Sequence, residues 1–160
     1  MVEKFFLHRI QKENGAYAKG IEVHDTLDSA VLAFWGRMKL GFNNPSYPNM
    51  TFVSCKITDG SGNTINPYNM TWLKEPEEGN TFFMHHIMLD GETFSKNIDV
   101  CSDFDAARYS YAATMEYGYG NPAHPNVTFV SCEITDINGL VLDPFSGTWN
   151  EPEPEPEPEA

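Results

Sequence analysis

The chain of 160 residues is 41% hydrophobic and 13% aromatic, with a net charge of −13. That is enough apolar material for one core or two small ones, and it excludes a disordered chain. No apolar run approaches the ~18 residues of a membrane-spanning helix, and no basic stripe suits nucleic acid, so neither is expected as a direct partner.

The chain opens with a strand over about residues 4–11, FFLHRI, apolar on both faces. The turn signal Glu13-Asn14-Gly15 leads into a second strand at 16–23. A helix follows over 26–40, because Leu27, Ala30, Val31, Phe34 and Met38 recur at helical spacing. Asp25-x-x-Asp28 is a loose capping box at its start, and Gly41 stands where a helix C-terminal glycine belongs. The connector NPSYPN then delivers a strand at 50–58, which Asp59-Gly60-Ser61-Gly62 turns into a short last strand.

The same order recurs at a constant offset of 77. FFMHHI (Phe82–Ile87) matches FFLHRI, and NPAHPN (Asn121–Asn126) matches NPSYPN. Between residues 49–72 and 126–149, 13 of 24 positions are identical. Ser102-x-x-Asp105 is the capping box of the second helix, and Gly118 repeats Gly41. The predicted fold is α+β, a tandem duplication of a ββαββ unit with antiparallel sheets, one helix on each. The expected organisation is a first unit at 1–73, an acidic linker at 74–79, a second unit at 80–149 and a Glu-Pro tail at 150–160. Each first strand is apolar on both faces, and one helix covers only one. The other face needs the sister unit, so pseudo-two-fold packing with mutual burial is expected.

Charge is polarised between the halves. Residues 1–73 hold six acids and seven Lys/Arg, whereas 80–149 hold nine acids against Lys96 and Arg108. Three cysteines are too few for a disulfide framework. Cys55 and Cys132 alternate onto the strand face of Val53 and Ile57, or Val130 and Ile134, and are expected to be small buried hydrophobes.

His8 and His85 are repeat equivalents and mark a candidate pocket between the units. No carboxylate or thiol stands at ligand spacing along the chain, so a hydrogen-bonded structural role is favoured and no metal is expected. Asp59 and Asp136 fit turn chemistry, Asp28 and Asp105 helix N-terminal charge. No nucleophile elbow, zinc-protease motif or phosphate loop occurs, so no catalytic residues and no cofactors are assigned. Trp72 and Trp149 close each unit and, with Tyr111 and Tyr119, are candidate contact residues for a partner, with core closure as the competing reading. The tail NEPEPEPEPEA is expected to be extended and polyproline-II-like.

The pattern FFLHRIQKxNGxYxKGIEV, then TLDxAxxAF, then NPxYPNxTFVSCKITDxxG resembles small proteins encoded by phages and prophages of gut Firmicutes. It covers nearly the whole chain in both copies. The resemblance implies a phage-associated setting and brings no catalytic residues. The N-terminus has no apolar segment with a small-residue cleavage site, so secretion by signal peptide is not expected, and the host cytoplasm or the virion is. The leading expectation is a non-enzymatic interaction or virion assembly module that binds a protein partner or itself. Two alternatives are an acidic inhibitor of a host nucleic-acid-binding or defence protein, and a small-ligand binder at the inter-unit junction.

Overall fold

A computed structural model describes residues 2–74 and 81–152. The expected acidic linker beyond Lys74 and the tail beyond Pro152 lie outside these residues. In the first unit, β1 (Phe5–Glu13), β2 (Ala16–His24), α1 (Leu27–Met38), β3 (Met50–Asp59) and β4 (Thr64–Leu73) follow in order. The second repeats them as β5 (Phe82–Asp90), β6 (Thr93–Cys101), α2 (Phe104–Met115), β7 (Val127–Thr135) and β8 (Val141–Asn150). Each unit is a four-stranded antiparallel sheet, ordered β2-β1-β3-β4 and β6-β5-β7-β8. The doubly apolar strands β1 and β5 are therefore interior to their sheets. Among the described residues no helix is long and apolar enough to cross a membrane.

Alternation along β1 sends Leu7 toward the helix and Phe6, His8 and Ile10 to the opposite face. On the helix side, Ala30, Phe34 and Met38 form one stripe of α1 over Leu7, Val53, Cys55 and Ile57. The opposite faces of the two sheets meet each other. Their shared core contains Phe6, Ile10, Ile21 and Phe52 from the first unit with Phe83, Ile87, Ile98 and Phe129 from the second. The ring contacts are symmetric. Phe6 stacks on Phe129 at 5.8 Å, and Phe83, its equivalent, stacks on Phe52 at 5.7 Å. All four phenylalanines are fully buried, each stabilising the closed pair by roughly 1.5–3 kcal/mol.

The turns interlock as well. A Cβ at Gly62 would lie 2.0 Å from Thr148 Oγ1, and one at Gly139 would lie 2.2 Å from Thr71 Oγ1. Both glycines have positive φ, so each turn needs the residue twice over, for its backbone and for the close approach of the sister unit.

Three local expectations are corrected. The helix caps are Thr26 and Asp103, whose side chains accept from Ser29 N and Ala106 N; each lies one residue beyond the anticipated Asp25 or Ser102. The last strands are long rather than short, ten residues each, because they run the length of β3 and β7 after a register break near the turn. Gly41 and Gly118 do not adopt positive φ. The left-handed residues are Asn43 and Gly120, while the two earlier glycines let Trp72 and Trp149 approach to 3.0 Å of where a Cβ would stand.

Candidate functional site

The polar centre of the molecule lies in the seam between the sheets. His8 faces the seam on β1, and its register partner on β3 is Lys56; His85 on β5 has Glu133 on β7 as its partner. The imidazoles meet directly, with Nδ1 to Nδ1 at 2.9 Å. Each Nε2 lies 2.8 Å from a threonine hydroxyl, Thr58 for His8 and Thr135 for His85. Lys56 Nζ lies 2.5 Å from Glu133 Oε1, an ion pair between the units with both side chains buried. Glu133 Oε1 is also 3.8 Å from His85 Nδ1.

A hydrogen bond between two Nδ1 atoms requires one proton, so one imidazole donates and the other accepts. The Glu133 carboxylate favours the proton on nearby His85, and the Lys56 ammonium favours the lone pair on His8. With that proton on His85, its Nδ1–H donates to His8 Nδ1, His8 Nε2–H donates to Thr58 and the Thr135 hydroxyl donates to His85 Nε2; the opposite tautomer reverses every role. Burial holds the pKa of His8 well below its ordinary value, and the Lys56 charge adds to this. Burial likewise lowers that of His85, followed by the effects of His8, Lys56 and His86. Both rings are neutral in the folded protein, and every ring nitrogen has a partner.

Among the described residues, His8, His85 and Glu133 also bring their donor atoms close enough together to hold a metal ion. Lys56 Nζ lies against Glu133 Oε1 at the same point, so an ion held there would share the carboxylate with an ammonium. His8, Lys56, His85 and Glu133 join the two units at their common face. Glu133 was missed as a neighbour of the histidines because it reaches them across a strand pair rather than along the chain.

Two equivalent clefts open at the NPxxPN connectors. One, of about 220 Å³, is lined by Pro45, Tyr47, Pro48, Trp72 and Lys74 among others. The other, of about 350 Å³, is lined by Pro122, His124, Pro125, Trp149 and Glu151 among others. Both tryptophans are half-buried walls of these clefts, packed on the helix-side cores. Tyr119 is exposed and its ring lies 6.3 Å from that of Trp149. Tyr111 continues the buried stripe of α2, and its hydroxyl lies 2.7 Å from where a Cβ of Gly147 would stand. The first unit has Phe34 and Met70 at those two positions, so Tyr111 fills space the missing side chain leaves.

Cys55 and Cys132 are buried on the helix faces, and desolvation raises each thiol to about 12. Cys101 is half-buried, its pKa raised by burial and by Asp99 and Asp103. Thiolate is the reactive form, so iodoacetamide should label native Cys101 first, with Cys55 and Cys132 modified only on unfolding. Mass spectrometry of peptides after timed labelling checks this; early modification of Cys55 or Cys132 would contradict it.

No family model matches this chain, and neither a curated protein nor a solved structure matches it.

Proposed function

We propose that the protein is a non-enzymatic, phage-associated interaction module that assembles with protein chains, its own copies or a virion component, through its exposed aromatic surface. The observation that carries this reading is where reactive and apolar groups lie. The paired histidines, Lys56, Glu133, Cys55 and Cys132 are sealed inside, the imidazoles against each other and Lys56 against Glu133. Large apolar side chains instead stand outward, Trp35, Phe42 and Tyr47 around the first unit and Tyr109 and Tyr119 on the second. Exposed aromatics rimmed by polar residues suit protein contacts.

A second reading, an acidic decoy for a host nucleic-acid-binding factor, draws support from the exposed acids Asp90, Glu92, Asp103, Asp105 and Glu116 of the second unit. Sedimentation of the full chain at rising concentration, alone and with purified phage particles, separates the two. Self-association or co-sedimentation is expected. A strictly monomeric protein that ignores particles and loses its partner only when those acids are neutralised would favour the decoy.

A further inference from the structure

At three positions the duplication places lysine in the first unit and glutamate in the second: Lys39 and Glu116, Lys56 and Glu133, Lys74 and Glu151. The middle two meet as the buried ion pair. The outer four are exposed; Lys74 and Glu151 line the first and second clefts, and Lys39 and Glu116 stand next in the chain to a lining residue, Leu40 and Tyr117 respectively. One shape is thus written once with basic and once with acidic edges.

The chain also carries a segment suited to the basic version. Residues 151–160 read EPEPEPEPEA, and the first two, Glu151 and Pro152, line the second cleft. Alternating proline favours polyproline II, which turns once in about three residues, so every edge of the segment presents both prolines and glutamates. Such segments dock in aromatic-lined grooves without a large ordering cost. The first cleft offers Trp72 and Tyr47 for the proline rings and Lys74 for the carboxylates, with Lys39 beside its lining residue Leu40. We propose that the first-unit cleft of one copy binds the Glu-Pro segment of a second copy. This deepens the assembly reading above and rests on it.

The segment starts at the end of the molecule opposite the basic cleft, which favours a second copy as its acceptor. Asn150 Nδ2 donates to Gly60 O at 3.3 Å, which places the start of the segment beside the β3–β4 turn. The basic cleft lies at the other end of β3, at Met50. The ten residues of β3, at ~3.3 Å each, separate the two by about 30 Å. The start of the donor segment and the acceptor cleft stand at opposite ends, so the contact is head-to-tail, joining copies into a ring or a chain.

The test titrates the synthetic peptide EPEPEPEPEA into isotope-labelled full-length protein and follows backbone amides. Shifts are expected at Tyr47, Trp72 and Lys74 and not at Trp149. Binding should weaken about tenfold or more in Lys39→Glu/Lys74→Glu, and similarly when the peptide is QPQPQPQPQA against wild-type protein, a comparison that leaves the cleft intact. No shift, shifts centred on Trp149, or equal affinity for both peptides would overturn the proposal. Failure here alongside co-sedimentation with phage particles would leave the assembly reading standing without this contact.

Discussion

Lys56→Glu should destabilise the protein by about 3–5 kcal/mol, because it sets a second carboxylate against Glu133 where no water can separate them. Glu133→Lys should cost a similar amount by opposing two ammonium groups. Against a typical total of roughly 5–15 kcal/mol, either change leaves little of the native state. The reversed pair, Lys56→Glu with Glu133→Lys, restores opposite charges and should recover most of the loss. Urea unfolding of the three variants measures this as shifts in midpoint at constant slope. If the double variant falls as far as the sum of the singles, the two side chains do not act as a pair. The apolar replacement Lys56→Met with Glu133→Leu is expected to be neutral or stabilising, which would show that the ion pair selects the partner rather than holding it.

Acid should weaken the fold through the two central histidines. Their folded pKa values lie well below the ordinary 6.5, so above that pH their contribution to stability is fully present. As pH falls below it, the unfolded chain binds protons that the folded protein excludes. Stability then drops by up to about 1.4 kcal/mol per pH unit for each ring, until the folded pKa values are reached. The groups facing the pair are Lys56, Glu133, Thr58 and Thr135, with His86 on the opposite strand face, so protonation would add positive charge beside an ammonium. Unfolding free energy measured at about pH 7.5 and about pH 5.5 should show this slope. It should be flatter in His8→Gln/His85→Gln. An unchanged slope in that variant would place the acid sensitivity elsewhere.

Most of the architecture was legible because the sequence repeats and alternates. FFLHRI and FFMHHI announced two covered faces, and the stacked Phe6–Phe129 and Phe83–Phe52 pairs are what covers the second one. Side-chain periodicity located Cys55 and Cys132 for the same reason. What stayed hidden depended on contacts across strands and across units. Glu133 lies 48 positions from His85 and comes beside it only through strand register. The caps shifted by one residue because Thr26 and Asp103, rather than their neighbours, have the extended backbone that lets a side chain reach the third amide on. Gly41 and Gly118 looked like helix stops, yet their need is room for an indole, which no local pattern displays. The lysine-to-glutamate inversions were present in the aligned repeats. Their meaning needed the fold, since the same exchange makes an internal ion pair at one position and opposite cleft edges at the other two.

The account rests on two units closing on each other at a shared pair of imidazoles, and spectroscopy of isotope-labelled imidazole nitrogens tests that contact most directly. A magnetic coupling transmitted through the hydrogen bond should link His85 Nδ1 to His8 Nδ1, with the proton on His85 and both rings still neutral well below the ordinary histidine pKa. Two uncoupled rings that titrate independently at the ordinary value would contradict it, because histidines that behave so stand in water rather than between two sheets.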